Sequence, residues 1–351
     1  MRFLCPMTAN RLLFLWMSLL SSLGLSAQIG GNAAFSSLNI QGSARVAALG
    51  GNIISIKDGD INLVATNPAL IDSTIHGKLA LSYVDYFDGI NLGYASYAHK
   101  LKNPRTTFSG TFQYISYGQM AELDGLGNEI GQFSAGDYAL VTGIGHQVDS
   151  LWSIGANWKN VFSSLGSYNS YATAFDFGAT YQKASRNFSA GFVLKNVGVQ
   201  VVTFNDSIRE KLPIELQVGI SKRPRHAPFR FSLTFENLQK WNLRYEDPNA
   251  RVVTDPVTGE VIEDNTWEFG DNLMRHVVIG TEFLLSDNFH IQIGYNYRRR
   301  QELKLADKPA TAGLSFGLGL NLKRFSMAYG RAVYHAAGPS NHLTLSLRLH
   351  Q

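Results

Sequence analysis

From about Gly77 to the end of the chain, apolar residues recur at every second position in stretches of roughly ten residues, the period of a strand whose two faces meet different surroundings. In Leu314–Leu322 one set is Leu314, Phe316, Leu318, Leu320 and Leu322, and the other is Ser315, Gly317, Gly319 and Asn321. Leu343, Leu345, Leu347 and Leu349 alternate with Thr344, Ser346 and Arg348, and Phe289, Ile291, Ile293, Tyr295 and Tyr297 with His290, Gln292, Gly294, Asn296 and Arg298. Ile214–Ile220 and Phe229–Phe235 repeat the pattern. About 14 such segments can be counted, each near the roughly 9 to 11 residues that a tilted strand needs to cross a bilayer. Their connections alternate in length. Asn103–Arg105, Val148–Ser150, Ser185–Asn187, Pro224–Ala227, Ser286–Asn288 and Lys323-Arg324 are short. Gly118–Ser134, Phe162–Ala172, Gly198–Leu212, Leu238–Leu273, Arg299–Thr311 and His335–Ser340 are longer, and only the hairpin at Asp88-Gly89 is short on that side. Short periplasmic turns opposite longer extracellular loops are the mark of an outer-membrane barrel, and an even strand number predicts both termini in the periplasm.

A soluble β-sandwich also alternates, so polarity has to decide. Charged residues are 17% of the 351-residue chain, against about 25% in ordinary soluble domains, and the face opposite the hydrocarbon one is Gly, Ser, Thr, Asn and Gln. That composition suits a crowded lumen better than a wet surface. The predicted fold class is therefore all-β, a transmembrane outer-membrane β-barrel of about 14 antiparallel strands over residues 77–351, with outer-membrane lipid against its apolar face. Trp152, Trp158, Tyr83, Tyr86, Tyr295 and Tyr297 are candidates for the interfacial girdles. If the register is right, Arg at Leu318 is costly and Arg at Ser315 less so.

Two segments precede the barrel. Residues 1–27 carry Arg2 and Arg11, an apolar stretch Leu12–Leu25 and the small-residue end Ser26-Ala27, the order of a signal peptide cleaved before Gln28. Fourteen mostly apolar residues are too short for an anchor across about 30 Å of hydrocarbon. The single cysteine, Cys5, leaves with this segment, so neither a disulfide nor a lipidated N-terminus is expected. No later run of 18 apolar residues exists, which excludes a helical bundle. Residues 28–76 break the alternation and are rich in glycine and turn formers, yet too apolar for a free tail. They are expected to fold into the lumen as a plug, the alternative being a periplasmic extension.

Within that segment, Ala44-Arg45-Val46-Ala47-Ala48-Leu49-Gly50-Gly51, Asp58–Asp60 and Asn67-Pro68-Ala69 resemble the N-terminal signature of outer-membrane barrels related to the FadL fatty acid transporters and to PorV. A nearer resemblance, to the PorQ components of the type IX secretion system, rests on Gln28–Gly31, Gly127–Ala135, and Leu212–Gly219 with Ala227–Arg230. It implies a plugged 14-stranded barrel and a plug motif of Arg45, Gly50, Gly51, Asn67 and Pro68. It also implies a place in the complex that attaches secreted proteins to the cell surface, with PorZ, PorU and PorV as partners. The chain departs from many outer-membrane barrels at its end, Leu349-His350-Gln351, where an aromatic residue is usual.

Chemistry of other kinds finds no footing. The nine histidines stand singly, and no nucleophile elbow, phosphate-binding glycine loop or metal-ligand spacing occurs, so catalytic residues, cofactors and metals are not expected. Asp58, Asp60 and Asp124–Glu129 offer oxygen atoms but fit turns better than a calcium loop. A net charge of +4 without a basic block makes nucleic acid an unexpected partner. Glu215, Arg230, Glu236 and Arg348 fall on the polar face and are expected to form ion pairs within the lumen or with the plug. The longest connection carries Trp241, Tyr245, Trp267 and Phe269 among acids, a pattern that suits either a cap over the barrel mouth or a partner-binding surface. Two function classes remain: a secretion-system anchor, as the nearer resemblance implies, and a FadL-like transporter of hydrophobic small molecules, which needs an apolar lumen pocket that the polar face does not offer.

Overall fold

The computed structural model describes residues 33–205, 209–244, 267–303, 311–335 and 338–349. The signal segment 1–27 and Tyr245 lie outside them. Fourteen strands form one closed antiparallel barrel in which each pairs with its sequence neighbours and the first closes on the last. In chain order they are β1 Lys78–Asp85, β2 Asn91–Lys100, β3 Thr106–Leu123, β4 Glu129–Gln147, β5 Trp152–Leu165, β6 Tyr168–Lys183 and β7 Phe188–Val202. The second half is β8 Glu215–Lys222, β9 Phe229–Phe235, β10 Val277–Leu284, β11 Phe289–Asn296, β12 Leu314–Asn321, β13 Phe325–His335 and β14 Gly338–Arg348. Closure removes every edge, which is what lets a sheet cross hydrocarbon without orphaned N–H and C=O groups.

The two faces separate as the alternation predicts. Leu318 is 45% exposed on the outside and Ser315 2% on the inside. Phe112, Ile154, Phe192, Ile279 and Leu343 join the outer band, where exposure to lipid rather than water costs nothing. Among the described residues no helix is long and apolar enough to cross a membrane. Trp152, Tyr181 and Phe188 form an aromatic row at the short-turn rim, with ring centroids 5.1 and 6.4 Å apart, a girdle of the expected kind. Tyr86 and Tyr297 are not girdle residues. Tyr86 turns inward to Tyr334, and the Tyr297 hydroxyl donates to Asp271 at 2.9 Å.

The long-loop end differs from expectation. β3 and β4 are 18 and 19 residues long and continue past the membrane to a turn where Asp124 Oδ1 accepts from the N–H groups of Leu126 and Asn128. β5 and β6 likewise run on to a turn at Gly166, so Phe162–Ala172 is strand where a loop was expected. Above the bilayer both faces of a hairpin meet water. The alternation fades there although the ladder does not, as the mostly exposed residues at the tip of β3 show.

Residues 33–76 fill the lumen. Ala33 pairs with Lys211 in the connection between β7 and β8 at the long-loop mouth, and residue 77 feeds β1 at the other. The described chain thus starts at the long-loop mouth and ends, at Leu349, at the short-turn mouth. The plug runs the length of the barrel, and the two chain ends themselves lie outside the described residues. Inside, Val46, Leu49, Ile53, Ile56, Leu63 and Leu70 give the plug a small core of its own. Arg at Leu318 is expected to cost roughly 2 to 4 kcal/mol and to abolish insertion, read as loss of heat-modifiable gel mobility. Arg at Ser315 is no mild control, since the Ser315 hydroxyl donates to the Ala48 carbonyl at 2.9 Å against the plug. The inward Ser326, beside an open cavity with several cations on its wall, is the position where a charged side chain, Glu, should be tolerated.

Candidate functional site

The plug is held where its first helix enters the lumen. Helix α1, Ala44–Ala48, starts at Ser43, whose hydroxyl accepts from the Val46 N–H at 3.4 Å, and ends on Gly50 and Gly51, both at φ 97°. Only glycine takes that conformation without strain, and it lets the Gly51 N–H return to the Val46 carbonyl at 2.9 Å. α1 aims Arg45 at the lumen wall. Its Nε and Nη2 donate to Glu282 of β10 at 2.8 and 3.1 Å, Nη1 and Nη2 to Asp58 at 3.1 and 2.7 Å, and Nη1 to Asp60 at 3.1 Å. From β9, Arg230 Nη1 reaches Asp58 at 2.6 Å and Glu282 at 3.0 Å. Three carboxylates and two guanidiniums thus tie the plug to two strands. Burial alone would raise the Asp58 carboxyl, but Arg45 and then Arg230 outweigh it and hold it well below the usual carboxylate range.

Farther along, three one-turn 3-10 segments are each capped by a side chain. Asp60 Oδ1 accepts from Asn62 N–H at 3.0 Å, Asn67 Oδ1 from Ala69 at 2.9 Å, and Asp72 Oδ1 from Thr74 at 2.9 Å. Pro68 sits at the first position of its turn, where a missing N–H costs nothing. The Asn67 amide also donates to the Ile54 carbonyl at 2.7 Å and to Thr180 of β6 at 3.2 Å. The wall receives these turns through glycine. A Cβ on Gly145 would collide with the Ile71 carbonyl, on Gly155 with that of Pro68, on Gly178 with Asn67, on Gly294 with Gly50 and on Gly330 with Ala44. Plug backbone and strand backbone are therefore in contact around much of the ring.

Two cavities flank the plug. At the long-loop side one of about 230 Å3 lies among Asn52, Tyr86, Glu215, Glu236, Arg298 and Tyr334. Glu236 pairs with Arg298 at 3.5 Å and accepts from the plug residue Asn52, while Lys195 stands opposite Glu215 across β7 and β8. Next to it Lys159 meets Asp176 at 2.8 Å, and Asn196, at φ 58°, donates to Asn39 of the plug at 3.0 Å. At the short-turn mouth a cavity of about 650 Å3 is bounded by the Arg45 cluster and by charged residues of the strand ends. Both cavities are polar.

The aromatic residues of the longest connection stand apart from the lumen contacts. Helix α2, Glu268–Arg275, brings Phe269 to 5.3 Å from Trp241, with Trp267 at 6.0 Å from Phe269 and Trp241 stacked on His276 at 5.5 Å. Trp267 is 75% exposed, and Phe269 and Trp241 are about half exposed. Among the described residues the structure therefore unites Trp241, Trp267 and Phe269 in one outward patch and keeps the plug-motif residues in a separate, buried one. Arg230 and Glu236 do bind the plug, whereas Arg348 has no ion pair among the described residues. Sequence reasoning missed Glu282, a lone acid in an ordinary strand, and the glycine seats. A glycine in the inward set of strand after strand was the available signal.

A plugged 14-stranded transmembrane barrel is the class this architecture defines, and solved structures share that fold. The toluene transporter TodX of Pseudomonas putida aligns with a TM-score of 0.50 at 13% identity, over 87% of this chain and 96% of that one. A FadL homologue of Pseudomonas aeruginosa aligns at 0.49 and 10% identity, over 88% and 98%. At such identity the likeness to TodX is one of fold. No protein-family profile and no curated protein matches the chain.

Removing the Arg45 charge leaves Glu282, Asp58 and Asp60 short of partners in a buried site, at a cost of about 3 to 5 kcal/mol. Arg45→Met is expected to leave the barrel inserted but to expose residues 33–76 to added protease and to raise single-channel conductance. Acid acts on the same cluster with a defined sign. Because Asp58 titrates below its ordinary value, its contribution is complete above about pH 4 and is lost only as pH falls further, so the wild-type plug should stay protease-resistant at pH 5.

Proposed function

We propose that this protein is an outer-membrane barrel that anchors partner proteins and does not conduct a solute, with the type IX attachment complex, including PorZ, PorU and PorV, as the assembly it serves. The observation that carries this is the filled lumen. A plug whose backbone lies against glycine seats, and whose Arg45 is fully bonded, has no slack for a passing molecule, and the walls of both flanking cavities are more polar than apolar, with Phe325, Met327 and Leu347 among the apolar residues of the larger. The resemblance of the Gln28–Gly31, Gly127–Ala135 and Leu212–Gly219 stretches to PorQ components supplies the partner class. The exposed Trp241, Trp267 and Phe269, with the Arg244–Glu268 pair beside them, supply a surface of the aromatic-anchor, polar-rim kind. No catalytic step is assigned to the protein. On this reading the long loops lie outside the cell and the short turns in the periplasm.

A second function, passage of a hydrophobic small molecule, has its own support, and the structural comparisons lean toward it. TodX carries toluene by its name, and the shared fold makes a similar cargo for this chain a definite alternative. It requires the plug to yield. One experiment separates the two: purify the barrel from outer membranes with and without the paired substitution Trp267→Ala and Phe269→Ala, quantify co-purified proteins, and measure toluene uptake into liposomes. Anchoring predicts attachment proteins that fall several-fold in the variant and no uptake above empty liposomes. Uptake by the wild-type barrel with no recovered partner would establish the transporter instead.

A further inference from the structure

The short-turn cavity holds more positive charge than its own acids absorb. Asp58, Asp60 and Glu282 are already engaged by Arg45 and Arg230, which leaves Asp287 on the rim as the remaining acid of its wall. Against it stand Lys78, Arg223, Lys323, Arg324 and Arg348, none of which has a carboxylate partner among the described residues, although the Lys78 ammonium donates to the Gly59 carbonyl of the plug. Three of them are adjacent. Lys78 and Arg348 face one another across β1 and β14, and the Arg348 N–H bonds the Arg324 carbonyl at 3.0 Å, so three cations occupy neighbouring positions on one rim. Like charges directly opposite in a sheet destabilise it. On the facing wall Arg223 adds a fourth charge, and Arg230 spends a single Nη on both its acids, with no bond from its other guanidinium nitrogens among the described residues.

We propose that this vestibule binds a phosphate-bearing anion with two or more negative charges. Shape distinguishes phosphate from a carboxylate. A carboxylate is planar and is satisfied by one guanidinium fork, whereas here the cations line one cavity from β1, β14, β9 and two separate turns, an arrangement that serves oxygens projecting in several directions. The volume, about 650 Å3, exceeds one phosphate and suits two linked phosphates or a phosphorylated headgroup whose apolar part stays outside the polar wall. A recessed site with one sign of charge and low-dielectric walls also concentrates field on its contents, so binding should weaken as salt is added.

The test uses the full-length barrel in a neutral maltoside detergent at low salt. Calorimetric titration with pyrophosphate is compared between wild type, the paired variant Lys78→Gln with Arg348→Gln, and the turn variant Arg223→Gln, with folding of each checked by heat-modifiable mobility. Loss of charge-assisted hydrogen bonds should weaken binding about tenfold or more in the paired variant and less in Arg223→Gln. Native mass spectrometry after reconstitution with phosphatidylglycerol and lipid A distinguishes the source. Pyrophosphate binding that is lost in the variants identifies a free anion, and retention of a phosphorylated lipid by wild type alone identifies a headgroup; either supports the site. Absence of both, or binding unchanged by the substitutions, overturns it, as does binding of hexaglutamate where phosphates do not bind.

Discussion

Arg45 offers five N–H donors, and each is matched by a carboxylate oxygen from Asp58, Asp60 or Glu282. Such saturation matters because the site is buried. A guanidinium taken from water costs several kcal/mol that only complete pairing returns, so a partly satisfied version would work against the fold. Two of the carboxylates belong to the plug and one to β10, so the condition is met only when the plug is seated and the wall is closed around it. Arg230 repeats the constraint from β9. What looks like a local ion cluster therefore fixes the position of 44 residues of lumen filling relative to the barrel.

The rest of the interior follows from that seating. Once the plug's place is set, its carbonyls fall against the strands, and Gly145, Gly155, Gly178, Gly294 and Gly330 are the positions where a side chain has no room. The interior is packed like the core of a soluble protein, with apolar clusters such as Ile61, Val64, Ile71 and Ile75 against Ala80 and Ala98, and with the distinction that plug and strand backbones also touch at the glycines. An opening sized for a solute would have to give up several of these contacts together. That coupling is the physical reason to treat the barrel as closed at rest, independent of which partner or cargo it serves.

The strands crossing the membrane were legible because lipid and lumen impose two environments on alternate residues; Leu314–Leu322 shows this in nine positions, and the register in the structure agrees with it. Where both faces meet the same medium, the signal disappears. The tips of β3 to β6 therefore read as loops. Arg45, Gly50, Gly51, Asn67 and Pro68 could be selected as a motif, but their roles could not, since each depends on a residue far away in sequence: Glu282 for Arg45, Thr180 for Asn67, Gly155 for Pro68. Long-range complementarity of that kind leaves no local pattern. The aromatic residues were visible as an oddity of composition, while their assembly around α2 required the helix to bring Phe269 back to Trp241.

The plug enters the lumen beside Lys211 and leaves it into β1 at the opposite mouth, so the chain is threaded through a ring made of its own later residues. A cord through a ring can be drawn in after the ring is complete or laid down before it is closed. Drawing it in would pull residues 33 to 60 past glycine seats that fit one position of one sequence. Laying it down first needs no such passage, and α1 packs on β11 to β14, the strands synthesised last and the ones that finish the circle. In this geometry the segment that fills the finished lumen is also a mandrel, a shape on which the closing strands can settle.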